Sequence, residues 1–176
     1  MGCDMIICPY CSSENIEGTD LCEECGEPLT DSHLTPPSNE VEQGLLRDRV
    51  SVLSPKKPFT VSPQTPVGEV LKLMVERRIG CIVVEEAGKP VGIFSERDAL
   101  RKLNVDAQLL ASHPVSEFMT PQPQTLVANA KIAYAVQRMD SGGYRHLPIV
   151  KDSGELVGII SARDIISYLT DKMTRK

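Results

Sequence analysis

The octapeptide VGIFSERD, Val91 to Asp98, returns as VGIISARD, Val157 to Asp164, with six of eight residues unchanged after 66 positions. A shift of 65 aligns Val50-Ser51 with Val115-Ser116, Pro58 with Pro123, Thr60 with Thr125 and Met74 with Met139. One residue inserted in the loop after the second strand accounts for the change from 65 to 66. This duplication constrains the fold more than any other feature. Each copy is about 55 to 60 residues, too long for a solenoid repeat and suited to one small supersecondary module, built twice.

Both copies read as β-α-β-β-α. In the first, PFTV is a short extended start and TPVGEVLKLMVERRI a helix, with Thr65 at the N-cap, Pro66 at the first helical position, and Val67, Val70, Leu71, Met74 and Val75 as its inward stripe. CIVVEE and VGIF are strands joined by the turn AGKP, and SERDALRKL is a closing helix with Ala99, Leu100 and Leu103 inward. The second copy repeats the order as QTLV, helix NAKIAYAVQRM stopping at Gly142-Gly143, strand YRHLPIV, turn KDSG, strand ELVGII and helix SARDIISYL. A lone unit leaves one face of a three-stranded sheet open. Two units related by a pseudo-twofold bury those faces together and leave two related clefts. The fold class is therefore α/β (α+β), and with 41% apolar residues, 4% aromatic and no Trp, its core is expected to consist of Val, Ile, Leu and Met.

Ahead of the duplication, CPYC (Cys8, Cys11) and CEEC (Cys22, Cys25) pair two Cys-x-x-Cys turns. Two such turns facing each other offer the tetrahedral four-sulfur cage that Zn²⁺ prefers, and Gly26 follows where a knuckle needs positive φ. A disulfide pair is disfavoured in a reducing cytosol, and a redox dithiol would want a βαβ context absent here. CPYCSSENIEGTDLCEECGEPL resembles the short zinc ribbons found at the ends of bacterial and archaeal proteins. Cys3 lies outside the pattern, and His33 is read as a solvated linker histidine because four thiolates already close the site.

Charge separates this segment from the rest. Residues 1 to 46 hold ten acidic side chains and no Lys or Arg, leaving 19 basic against 24 − 10 = 14 acidic groups, or +5, for the remainder. An acidic ribbon with a −2 tetrathiolate site is repelled by phosphate, which disfavours nucleic acid as its partner, and protein docking or a purely structural role is expected. The organisation read from the sequence is a zinc ribbon at 1–30, a polar, Pro-rich linker at 31–46, and repeats at 47–108 and 109–176. No apolar run is long enough to span a bilayer and no signal peptide is evident, so the expected location is the cytoplasm.

Within the octapeptide, Ser95 to Asp98 and Ser161 to Asp164 form capping-box patterns at strand-to-helix junctions. From about Val50 to Leu169 the chain also resembles a tandem pair of cystathionine β-synthase (CBS) domains, a Bateman module. The resemblance rests on the two Gly-hydrophobic-hydrophobic-Ser-x-x-Asp signatures and on YRHLPIV, which is similar to the family's His-Leu-Pro-Val strand. It implies that Asp98 and Asp164 hold the ribose hydroxyls of an adenosine nucleotide, with Ser95 and Ser161 assisting. It implies further that Thr60, Val61, Thr125 and Val127 meet the base, with Ile82, Leu147 and Pro148 on the flanking strands. Arg97 and Arg163 are phosphate candidates, as are Arg145 and His146, where the first copy has Gly80 and Cys81. The Asp164 cleft is therefore expected to be the stronger phosphate site.

No catalytic constellation is evident in the sequence, and the reading is a non-enzymatic sensor of AMP, ADP or ATP. By resemblance it forms a homodimer, and its ribbon addresses an unknown protein partner. Alternatives are a nucleic-acid-binding or transcription regulator, a sensor of another adenosyl ligand such as S-adenosylmethionine, and a dimerisation scaffold with empty clefts.

Overall fold

The computed structural model describes residues 5–8, 10–11, 13–16, 19–29 and 39–174; Cys3, His33 and residues 31–38 of the expected linker lie outside them. In chain order the elements are β1 (Met5–Ile7), β2 (Glu14–Ile16), α1 (Glu40–Arg47), β3 (Thr60–Val61), α2 (Val67–Arg77), β4 (Cys81–Glu86), β5 (Lys89–Ser95), α3 (Glu96–Asp98), α4 (Ala107–Leu110), β6 (Thr120–Pro121), β7 (Leu126–Val127), α5 (Ile132–Gly142), β8 (His146–Val150), β9 (Leu156–Ser161) and α6 (Ala162–Thr174). The β-α-β-β-α order thus occurs twice, in a mixed α/β fold.

These elements gather into two compact units that do not follow the sequence repeats. One unit takes residues 56–125 and 146–160. Its main sheet has the order β3-β4-β5-β6, with β3 parallel and β5 antiparallel to β4. Val67, Val70 and Met74 of α2 pack with Ile82, Val84, Phe94, Leu103, Val115 and Phe118 in its core. The tight turn between β4 and β5 places Ala87 at φ 50° and Gly88 at φ 79°, the doubled positive φ that a two-residue hairpin requires.

The other unit takes the described part of residues 1–55 with 126–145 and 161–174. The linker's last residues are not loose here. Asn39 caps α1 through its side chain, and α1 packs on α5 and α6 with Gly44 buried. A Cβ at Gly44 would run into the Tyr168 hydroxyl, so this close helix approach depends on glycine.

A reciprocal exchange explains why the units cut across the repeats. The Val50 and Ser51 amides donate to Ala130 and Ala128 carbonyls in one unit, and Val115 and Ser116 donate to Thr65 and Pro63 in the other. Every one of these positions maps onto its counterpart at the 65-residue shift. Each copy therefore lends its opening Val-Ser segment to the loop that precedes the other copy's first helix, and Val50 and Val115 are fully buried there.

The same exchange relocates a helix cap. Thr65 was expected at the N-cap of α2, but the helix begins at Val67 after an extended Pro66, and the Thr65 hydroxyl lies with Ser62 at 3.2 Å. The first amides of α2 are satisfied by backbone instead, Val67 donating to His113 O at 2.8 Å and Gly68 to Ala111 O at 2.9 Å. In α5, Ile132 donates to Asp48 O in the equivalent way at 3.0 Å. Two stripe residues also face outward rather than inward. Val75 is 78% exposed because the buried stripe of α2 closes at Val67, Val70 and Met74. Leu100 is 76% exposed because residues 99–103 wind as a π-helix, whose wider turn keeps Ala99 and Leu103 on the core but swings Leu100 out.

The signature glycine Gly92 faces Pro121 across the β5–β6 ladder, and a Cβ there would collide with the Met119 side chain. Gly92→Ala is expected to lower stability by about 1 to 3 kcal/mol through overpacking. Urea denaturation reads this directly, and an unchanged midpoint at unchanged m-value would contradict the packing assigned to Gly92.

Candidate functional site

The two Ser-x-x-Asp motifs adopt one geometry. Ser95 ends β5 and N-caps α3, its amide and hydroxyl donating to Asp98 Oδ2 at 3.0 and 2.6 Å while its Oγ accepts from the Asp98 amide at 3.4 Å. Ser161 ends β9 and repeats this with Asp164 at 2.7, 2.6 and 3.4 Å. The next amide ties each helix start back to the preceding strand entry, Glu96 N donating to Gly80 O at 3.1 Å and Ala162 N to Arg145 O at 2.8 Å. The capping reading of the octapeptide is thus realised twice. Each box fixes a carboxylate at a helix N-terminus, where the helix dipole favours negative charge.

Beyond that shared frame the motifs part. Asp98 is buried, and its Oδ1 accepts from Thr120 Oγ1 at 3.1 Å and from Lys102 Nζ at 3.0 Å. Asp164 lines a cavity of about 430 Å³ together with Asp48, Val52, Leu53, Ser167, Tyr168, Asp171 and Lys172. The Tyr168 hydroxyl donates to Asp48 at 2.7 Å, and Lys172 pairs with the same carboxylate at 3.0 Å. The wall therefore carries three carboxylates against one ammonium, which is already paired.

The remaining candidates are distributed as follows. Arg145 is exposed at the foot of α6 in backbone terms, and Arg97 and Arg163 are exposed one residue before each Asp. Thr60 is exposed; Thr125 and Val127 are half-buried. Val61 lines a separate cavity of about 350 Å³ with Thr65, Glu69, Lys72, Leu73 and Glu76, to which Asp98 does not contribute. Ile82, Leu147 and Pro148 are buried, so their side chains serve the core. The His146 ring approaches Gly80 beside Glu96, within the unit that holds Asp98. Lys102 and Tyr168 were missed by the sequence reading, although the 66-residue shift aligns them four residues after each Asp.

The cysteines converge as their spacing predicts. The Sγ atoms of Cys8, Cys11, Cys22 and Cys25 all lie within 4.8 Å of one another, with Cys8–Cys25 at 3.7 Å and Cys11–Cys22 at 3.5 Å. A tetrahedral metal with sulfur at about 2.3 Å sets neighbouring sulfurs about 3.8 Å apart, so the cage has the right size. The β1–β2 hairpin carries the first turn, where the Tyr10 amide points at Cys8 Sγ, and Gly26 closes the second at φ 72°. The Ser13 hydroxyl, 3.1 Å away, pulls the Cys22 thiol down to about 5, whereas burial pushes Cys25 up to about 12. Behind the sulfurs, buried Asn15 donates to Ser13 O and toward Cys22 Sγ and accepts from the Glu23 amide at 3.1 Å, an outer-sphere brace of the kind that orients metal ligands.

This cysteine unit rests on α5. The Arg138 guanidinium stacks over the Tyr10 ring at 5.1 Å, and the Tyr134 hydroxyl reaches Pro28 O at 3.3 Å. Burial lowers the Arg138 pKa, and Tyr10 and the nearby thiols push it back up. The sulfur cage thus has a cation, Arg138, on its protein side.

With this geometry in place, comparison with known proteins is informative. The CBS domain family model matches residues 50–105 and 115–171. The chain is 32% identical over 130 residues to an uncharacterized 17.7 kDa protein of Acidianus ambivalens, covering 72% of this chain and 76% of that one. It is 32% identical over 105 residues to a mitochondrial CBS domain-containing protein of Arabidopsis thaliana, covering 57% of this chain and half of that relative's length. A CBS domain protein from Pyrobaculum aerophilum complexed with AMP matches at TM-score 0.60 and 28% identity, over 70% of this chain and 98% of that one. The CBS domain pair of protein MJ0100, in complex with 5′-methylthioadenosine and S-adenosyl-L-methionine, shares the fold at TM-score 0.61 and 23% identity, over 70% and 97% of the two chains. This chain belongs to the CBS domain family and carries the domain as a tandem pair.

Burial by itself raises the Asp98 pKa, but hydrogen bonds from Ser95 and Lys102 outweigh it and hold the carboxyl below the usual range. A depressed folded-state pKa contributes stability that is complete above the unfolded value of about 3.9 and is lost as pH falls through the folded value. Asp98→Asn is accordingly expected to flatten the acid limb of stability below about pH 4. Urea denaturation from pH 6 to pH 2 checks this, and an acid limb identical to wild type would contradict it.

Proposed function

We propose that this chain is a non-catalytic regulatory protein that binds an adenosine nucleotide, AMP, ADP or ATP, beside Asp164 and relays its occupancy to a partner. The observation that carries this reading is the Ser161–Asp164 box facing an open cavity, in a family with a member complexed with AMP. A carboxylate oriented by its own Ser offers acceptor oxygens to the vicinal hydroxyls of a ribose, and the amides at the start of α6 favour the negative end of a ligand. Arg145 and Arg163 are assigned to phosphate, and Val127 to the base. Relay requires that the ligand bind one of two conformations better, by contacts made in only one of them.

The cysteine cage is assigned to Zn²⁺, held by Cys8, Cys11, Cys22 and Cys25. Four thiolates leave no open coordination position, so the metal's role is structural, and in so short a segment its binding supplies folding free energy. The contacts of Tyr10 and Pro28 with α5 support a role for the ribbon in passing helix movement to a protein partner. The assembly is taken as a homodimer in the cytoplasm.

A second reading is favoured by the charge of the cavity wall. Asp48, Asp164 and Asp171 repel phosphate but attract a sulfonium, so S-adenosylmethionine competes with the nucleotides as ligand.

Isothermal calorimetry of the zinc-loaded chain against AMP, ADP, ATP and S-adenosylmethionine separates the two. Saturable binding is expected for one class, weakened about ten- to a hundredfold in Asp164→Ala, since a hydrogen bond to a charged group contributes about 1.5 to 3 kcal/mol. Unchanged affinity in the variant would remove the site assignment. Metal analysis is expected to return one zinc per chain, lost in Cys22→Ser; zinc retained at full stoichiometry in that variant would overturn the cage.

A further inference from the structure

The Asp98 carboxylate of the first Ser-x-x-Asp motif is saturated by the protein. A carboxylate has about four lone-pair positions, and all four of Asp98 are taken by the protein. Ser95 N and Ser95 Oγ occupy Oδ2, and Thr120 Oγ1 and Lys102 Nζ occupy Oδ1. Lys102 is equally complete. An ammonium has three N–H donors, and these reach Asp98 Oδ1 at 3.0 Å, Phe118 O at 2.7 Å and Met119 O at 3.0 Å. The Asp98 side chain is only 12% exposed, against 38% for Lys102, and the two carbonyls belong to the segment that leads into β6.

We infer that Lys102 is a built-in occupant of the first ribose position and that the protein binds one adenosyl ligand per chain, not two. The inference rests on the reading that these Asp residues hold ribose. A diol approaching Asp98 must displace Thr120 and Lys102 from its carboxylate, giving up a charge-assisted contact that a neutral ribose hydroxyl does not replace. In the second copy the aligned residue is Tyr168, neutral and hydrogen-bonded to Asp48, and Asp164 faces a cavity. Lys102 is thus a specificity-determining residue that makes a duplicated module asymmetric. The π-helical turn at 99–103 is local to the blocked copy; α6 runs as a regular helix through the aligned positions.

The test is the binding stoichiometry of the full, zinc-loaded chain, titrated with AMP and separately with 5′-methylthioadenosine, which lacks phosphate. Wild type is expected to bind one equivalent. Lys102→Met and Lys102→Ala, two replacements that differ in how much of the apolar stem they keep, are expected to bind two. The gain at the new site is about ten- to a hundredfold in affinity, the equivalent of one charge-assisted contact no longer competing. Adding Asp98→Ala to either variant should return the count to one. Two equivalents in wild type, or one in both folded variants, would overturn the blocking role while leaving the Asp164 reading intact. No binding in wild type with one equivalent in the variants would sustain the block and refute the Asp164 reading. No binding anywhere would refute both.

Discussion

The reciprocal hydrogen bonding of Ser and Asp at a strand-to-helix junction is the interaction on which this structure is organised. It satisfies orphan amides at the start of α3 and α6, contributions of about 0.5 to 2 kcal/mol each. It also aims a carboxylate at a fixed point beside the strand end. Because Ser donates two hydrogen bonds to a single oxygen, the other oxygen is left for whatever the surroundings supply. The difference between the two copies then lies in what stands four residues further along the helix. Lysine fills the position from within in the first copy, and tyrosine turns to a different carboxylate in the second.

The exchange of Val-Ser segments adds a second layer. Neither helix α2 nor α5 carries a side-chain cap, and both draw their first hydrogen bonds from backbone contributed by the opposite sequence copy. The repeats are thereby bound into units that neither could form alone, as expected of a small module with too little core of its own. The Asp48 region shows how the parts converge: its carbonyl caps α5, its carboxylate receives Tyr168 and Lys172 of α6, and it borders the cavity at Asp164. The hydrogen bond from Tyr168, followed by that from Lys172, holds its carboxyl below the usual range. The cysteine unit adds Arg138 and Tyr134 of α5 to this network. The cysteine cage and the Asp164 cavity are therefore tied to one helical layer.

Much of this was legible in the sequence. The duplicated octapeptide specified both junctions, the alternation of strand and helix gave the element order, and the Cys-x-x-Cys spacing located the cage. The misses share one cause, the action of distant backbone on a local pattern. Thr65 has ideal N-cap chemistry but loses the position to the carbonyls of Ala111 and His113, far along the chain. Leu100 fits a helical stripe, but the stripe assumes 3.6 residues per turn and the π-turn does not obey it. Lys102 carried a visible signal, its alignment with Tyr168, yet its meaning depends on the carbonyls of Phe118 and Met119, which only the fold brings near. Ile82 on β4 and Leu147 and Pro148 on β8 are buried, and their side chains pack in the interior.

A crystal structure of the zinc-loaded protein grown with AMP tests the central claim most directly. The account predicts nucleotide density with its ribose on Asp164, and Lys102 still seated on Asp98, Phe118 O and Met119 O. Nucleotide on Asp98 with Lys102 displaced, or a vacant Asp164 at saturating AMP, would contradict it.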